Sequence, residues 1–217
     1  MRAMDRFWLL QMVALIALVG GCASEQQKAR NALPQTYPAT ISKWNNGLNH
    51  VEFVQPFQLN DYAKVVVLPV DSSGTKLPPS DENTYKPVTV ILSKSADLFV
   101  EGIRGKVKAL IPVEASTPAA GEAGKWLKVQ IRILEMDPGS QAMRYWVGMG
   151  AGRAHTRIEG DLIDAQTNQA LLHFQDDDYG SAGLFGGGYE ALLTNEVQTI
   201  GENFGVLLIA FTPAEKK

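Results

Sequence analysis

One cysteine, three histidines and no apolar run long enough to cross a bilayer set the first limits on this chain of 217 residues. With Cys22 alone there is no intramolecular disulfide, and the only thiol available as a nucleophile is Cys22 itself. His50, His155 and His173 lack metal-ligand spacing, and no serine sits in a Gly-x-Ser-x-Gly elbow. Lys and Arg form no block and the formal net charge is −3, so a nucleic-acid phosphate backbone has no basic surface to meet. The sequence thus offers no catalytic set, no metal ligands and no cofactor motif.

What it does have is an N-terminal leader. Arg2 and Arg6 flank the start of an apolar stretch, Phe7 to Val19, interrupted only by Gln11. A helix needs roughly 20 apolar residues to span a bilayer, and this stretch falls well short. It ends in Leu18-Val19-Gly20-Gly21-Cys22. That segment resembles the lipobox of bacterial lipoproteins, with Gly20 where Ala or Ser is usual. The resemblance implies cleavage before Cys22, acylation of Cys22 and attachment to the membrane through that lipid. Each buried acyl CH₂ contributes about 0.8 kcal/mol and one chain is a marginal anchor, whereas the diacyl or triacyl group of this class holds firmly. Ala23, rather than Asp, follows the cysteine. By resemblance to enterobacterial lipoproteins, this favours the periplasmic face of the outer membrane.

The domain organisation read from composition is a signal peptide at 1–21, a lipidated flexible tether at 22–50 and a single globular domain at 51–217. Residues 23–50 are rich in Gln, Asn, Ala, Pro and Lys without an apolar period. The folded part is expected to begin near Phe53. Lys64 to Val70 is almost continuously apolar and predicts a central strand buried on both faces. Asp71 to Asp81 reads as loop. Leu92, Ala96, Phe99, Val100, Ile103, Val107 and Leu110 then step by three and four, predicting a helix capped by Ser93 or Ser95. A second stripe of Leu98, Gly102, Gly105 and Ala109 points to close approach of that helix to the sheet.

Leu127, Val129, Ile131 and Ile133 alternate with polar residues. The same period recurs from Ala154 to Leu162, and Ala170 to Phe174 returns after a polar turn at 164–168. These three strands predict an antiparallel meander. A closing helix from about Tyr189 carries Leu193, Val197, Ile200, Phe204, Leu207 and Phe211 on one stripe. The expected fold class is a two-layer α/β (α+β) domain, with a mixed, mostly antiparallel sheet of about four to five strands packed against two main helices.

Arg144 to Ala154 is the most distinctive internal stretch. Its glycines precede an alternating strand, where a phosphate-binding loop would have them open a helix, so they read as a bulged or closely packed strand-turn segment covered by Trp146. Together with Asp161 to Asn168, this stretch resembles an uncharacterised family of bacterial lipoproteins classed only as a domain of unknown function. Members show an Arg-aromatic start, a Gly-x-Gly-Ala-Gly-Arg/Lys-Ala core and a strand ending in Asp-x-x-Thr-Gly, with Asn168 here in place of the last Gly. A more distant likeness is to envelope lipoproteins with a fold like the amino-terminal domain of TolB.

Asp176, Asp177 and Asp178 read as a solvated loop, His155 as a solvated strand-face residue, and Glu159 and Asp161 with Arg157 as a surface charge ladder. Gly183 to Tyr189 reads as a connection whose Leu184 and Phe185 are available for contact. The leading functional expectation is a membrane-anchored, non-enzymatic binding or accessory module of an envelope complex, with Arg144, Trp146, Arg153, Leu184 and Phe185 as candidate contact residues. The competing expectation is a binder of a small ligand or glycan, or a hydrolase, with a pocket between sheet and helices.

Overall fold

Alternation of apolar and polar residues lays out the sheet. In β5 (Leu127–Asp137), Leu127, Val129, Ile131 and Ile133 are buried while Gln130 and Arg132 are exposed, the pattern of a strand with one face on a core. β5 pairs antiparallel with β6 (His155–Asp164), and β6 with β7 (Gln169–Tyr179). The turn between β6 and β7 closes with Asn168 at φ 57°, a left-handed conformation that Asn tolerates. These strands are the predicted meander. The computed structural model describes residues 27–45, 47–107, 110–117, 124–140, 152–179 and 188–212.

Four short strands complete the sheet: β1 (Ala39–Ile41), β2 (His50–Phe53), β3 (Val65–Val67) and β4 (Val113–Ala115). The order is β1-β2-β7-β6-β5-β3-β4, with β3 parallel to both its neighbours and every other pairing antiparallel. The sheet is mixed and mostly antiparallel, but among the described residues it has seven strands where four or five were expected. Three of the four short strands are three residues long, below the length at which periodicity can be read. β3 is buried on both faces as predicted, yet it is the sixth strand of seven; β6 holds the centre.

The tether boundary also moves. Residues 27–31 form a helical turn, β1 pairs with β2 in register (Ala39↔Phe53, Ile41↔Val51), and Ala29, Trp44 and Leu48 are buried. The Trp44 ring meets Phe53 edge-on at 5.5 Å. A polar composition hid this because three apolar side chains and one backbone ladder are enough to dock the segment.

Helices α1 (Tyr85–Ser93), α2 (Ser95–Val107) and α3 (Tyr189–Ala210) accompany the sheet. The single helix expected from Leu92 is two helices, broken at Lys94 (φ −101°, ψ 0°). Ser95 does not cap α2 from outside; it is buried and its hydroxyl donates to the Ile91 carbonyl at 3.1 Å. Leu110 is 49% exposed and lies outside the apolar stripe. In α3 the predicted residues Leu193, Val197, Ile200, Phe204 and Leu207 are all buried, and Phe211 follows them as the C-cap. The rings of Phe99, Phe174 and Phe204 join α2, β7 and α3, with centroids 4.7 to 6.2 Å apart.

The glycines of α2 serve a different neighbour from the one expected. A Cβ on Gly102 would stand 2.1 Å from the Gln198 carbonyl oxygen, and one on Gly201 would stand 2.4 Å from that of Phe99. Close approach is therefore between α2 and α3, backbone against backbone, and not between α2 and the sheet. Gly105 meets nothing within 4 Å and is exposed.

A candidate contact site at one end of the sheet

Asp137, His155 and Tyr179 are register partners across β5, β6 and β7. The end of the sheet they define is where the chain leaves β5, re-enters β6 and leaves β7. β5 reaches it through a bulge: the register shifts between Ile133 and Glu135, so that Met136 returns to the core while Glu135 stays on the other face. Residues 71–76 run beside this part of β5. Lys76 N–H donates to the Leu134 carbonyl at 2.9 Å and Met136 N–H to that of Lys76 at 3.0 Å. The hydroxyl of Thr75 donates to the Ile133 carbonyl at 2.7 Å.

His155 sits at the centre of this end and is only 8% exposed, so the solvated residue expected from the alternation is instead enclosed. Its ring stacks on Tyr179 with centroids 4.3 Å apart and planes 13° from parallel. Nδ1 lies 3.8 Å from Glu135 Oε2 and Nε2 lies 3.5 Å from Asp177 Oδ2. Glu135 is ion-paired with Lys76, whose hydrogen bond holds its carboxyl below the ordinary range against the opposing effect of burial. Asp177 accepts from the Asn49 side-chain amide. Alternation alone missed this enclosure, because what closes it is a stacked cross-strand aromatic and a neighbouring loop.

Arg153, one of the predicted contact residues, is exposed just before β6. Its carbonyl is packed against the opposite limb of the hairpin: Gly139 has φ 64°, and a Cβ there would stand 2.3 Å from the carbonyl oxygens of both Arg153 and Gly152. Ser140 N–H donates to the Gly152 carbonyl at 3.1 Å. Glycine thus admits a neighbouring backbone at the base of the β5–β6 connection. A cavity of about 910 Å³ opens here, bounded by Lys76, Pro79, Asp137, Arg153, His155 and Tyr179. Tyr179 is 48% exposed at its rim. Arg144 and Trp146 belong to the connection between β5 and β6, and Leu184 and Phe185 to that between β7 and α3. These four residues and Cys22 lie outside the described residues.

The sequence model for a domain of unknown function, DUF4410, matches residues 65–183. The chain belongs to the DUF4410 family. The DUF4410 span starts with β3 and contains β3 to β7, and so includes all of the site except Asn49. No curated protein matches the chain. Among solved structures, the PelC dodecamer from Paraburkholderia phytofirmans is 12% identical, covering 70% of this chain and 96% of that one with a TM-score of 0.45. A Xanthomonas campestris protein of the DUF330 family is 11% identical, covering 72% and 91% with a TM-score of 0.40.

Elsewhere on the DUF4410 domain, the sheet face opposite the helices carries polar side-chain pairs: Arg132 with Glu159 and His173 with Asp161. Asp176, Asp177 and Asp178 are not a solvated loop. They lie within β7, and Asp176 is only 2% exposed. Among the described residues no three His, Cys, Asp or Glu side chains converge to hold a metal ion, and no helix is long and apolar enough to cross a membrane.

Proposed function

We propose that this DUF4410 protein is a lipid-anchored bacterial envelope lipoprotein, held at the periplasmic face of the outer membrane by acylated Cys22. It works without catalysis, as a binding or accessory module of an envelope protein complex. Its contact surface is the sheet end at Arg153, together with the connections that carry Arg144, Trp146, Leu184 and Phe185. The observation that supports this reading is the register Asp137↔His155↔Tyr179, which fixes the attachment points of both connections to one end of one sheet. Arg144, Arg153, Trp146 and Phe185 are of the residue types enriched at protein contacts.

The test is site-specific crosslinking in cells, with a photoreactive residue at Arg153, at Trp146, and, as a control, at exposed Gln175, which lies four residues back along β7 from Tyr179 and away from this end of the sheet. One protein adduct shared by the first two positions and absent from Gln175 supports the reading. Adducts equally strong from Gln175, or none from the sheet end, overturn it. Cys22→Ser tests the anchor separately, and continued acyl labelling of that variant refutes it. The cavity of about 910 Å³ beside His155 favours a second reading, a small-ligand binder. Under that reading the crosslinks fail and a small molecule co-purifies with the wild type but not with a variant whose cavity is filled.

A further inference from the structure

The core-facing side of the same sheet end is polar. Along α3, Glu196, Thr199 and Asn203 form one stripe at spacings of three and four, beside the apolar stripe of Leu193, Val197 and Ile200. Each meets a partner on the sheet. Thr156 of β6 donates to Glu196 Oε2 at 2.7 Å. The Thr199 hydroxyl donates to Asp178. Asn203 Nδ2 donates to Asp176 Oδ2 at 3.1 Å, and Asn49 N–H donates to the other oxygen of Asp176 at 3.2 Å. Thr156 and Asp178 are themselves cross-strand partners, as are Ile158 and Asp176. The three contacts make a continuous hydrogen-bonded seam between helix and sheet. Glu196 and Asp176 are 1% and 2% exposed.

The seam contains three carboxyl groups, and no ion pair reaches Asp176 or Asp178 among the described residues. From β6 the facing group is the hydroxyl of Thr156, from α3 those described above, and from the segment before β2 the amide of Asn49. Asp177 and His155 act on Asp178 from the opposite sheet face, the first against ionisation and the second for it. An apolar seam would hold a helix as well without this exposure to pH. α3 also starts directly after the connection that carries Leu184 and Phe185.

We propose that this seam is a proton-operated latch: taking up protons seats the first half of α3 on β6 and β7, and losing them frees it to open locally. Burial is the largest influence on both sheet carboxyls. It raises Asp176 to about 6 and raises Asp178 as well, against the hydrogen bonds that favour their ionised forms. A group raised in the folded state stabilises most below its unfolded value, and that contribution is lost as pH climbs through the folded value. For Asp176 alone, moving from 3.8 when open to about 6 when closed makes opening about ten-fold more frequent at pH 7.5 than at pH 5.

The test is amide hydrogen exchange of the full-length chain in detergent micelles at pH 5 and pH 7.5, with intrinsic exchange rates divided out. The latch requires opening of residues 192–203 to rise about ten-fold at the higher pH, with a smaller rise in β5 and the centre of β6. Asp176→Asn, which keeps the shape and removes the charge, is expected to lower that ratio several-fold, leaving only the part carried by Asp178. A uniform pH effect over the whole chain, or an undiminished ratio in Asp176→Asn, overturns the proposal. If that variant does not fold, a carboxyl carbon titration of the wild type decides instead: Asp176 titrating in the ordinary carboxylate range refutes the latch, and a midpoint well above it supports the latch.

Discussion

Substituting Gly102 by alanine puts the α2–α3 contact under the most direct test. The new Cβ would stand 2.1 Å from the Gln198 carbonyl oxygen, 2.8 Å from Glu202 N and 3.0 Å from Gly201 C. All three are backbone atoms in the middle of a helix, so no side chain can swing aside. Ordinary contact at about 3.4 Å requires the helices to part by about 1.3 Å. A gap of ~1 Å already forfeits a quarter to a half of a dispersion contact, and here it opens beside Phe99, Ile103, Val197 and Phe204, all buried. Overpacking of this kind costs about 1–3 kcal/mol, and with rigid partners the upper end applies. Replacing a helical glycine returns about 1 kcal/mol of propensity, leaving a net loss of about 2 kcal/mol.

Gly105→Ala provides the comparison. It sits in the same helix, one turn on, with nothing within 4 Å of its Cβ position, so only the propensity gain of up to about 1 kcal/mol remains. The two variants should differ by about 3 kcal/mol. With a urea slope of about 2 kcal/mol/M for a domain of this size, their unfolding midpoints should lie about 1.5 M apart on opposite sides of the wild type. Midpoints that coincide, or a Gly102→Ala variant more stable than wild type, would refute the argument that glycine is needed for the helices to touch.

Three further outcomes are expected. Trp44→Ala should lower stability by about 3 kcal/mol or more in chemical unfolding, as removal of a fully buried indole does, whereas a tether residue would leave it unchanged. Tyr62→Phe removes the hydroxyl that donates to Asp164 Oδ2 at 2.9 Å and should cost about 1–2 kcal/mol at pH 7. Burial opposes ionisation of Asp164, but the Thr167 N–H, the Tyr62 hydroxyl and the Gln166 N–H outweigh it and hold the carboxyl below its usual range. That contribution is present above pH 4 and lost as pH falls through the depressed value, so the cost of Tyr62→Phe should shrink in urea titrations near pH 2. Asn168→Ala should cost about 1 kcal/mol for a left-handed residue while Asn168→Gly should not, which thermal melts of the pair will show.

The long elements were legible because their periods are long. The alternation from Leu127 to Ile133 and the four-three stepping from Leu193 to Phe204 each repeat often enough to exclude other structures, and each buries the residues predicted. β1, β3 and β4 pair through backbone ladders of three residues, which no side-chain period announces. The break at Lys94 escaped notice because Leu92 and Ala96 keep the four-residue spacing across it. Gly102 was recognised as needing a close neighbour, but spacing carries no information on whether that neighbour is a sheet or another helix.

β7 shows where composition misleads. Read as a sequence, its apolar run stops at Phe174, and three aspartates in a row match a solvated loop better than a strand. The strand continues for five more residues because the backbone of β6 is there to pair with it and because the buried Asp176 carboxyl finds two donors brought from elsewhere: Asn49 from before β2 and Asn203 from α3. A donor 127 residues away in sequence leaves no local trace. Those five residues carry β7 to the end of the sheet where His155 and Tyr179 stack, and they put Asp177 on one face and Asp176 and Asp178 on the other. Had β7 ended at Phe174, the connection bearing Leu184 and Phe185 would leave the sheet from its middle, opposite Gly160, and would share no end with the segment bearing Trp146. The acidic run that looked like a loop is therefore what carries the exit of β7 to the same end of the sheet as the exit of β5 and the start of β6.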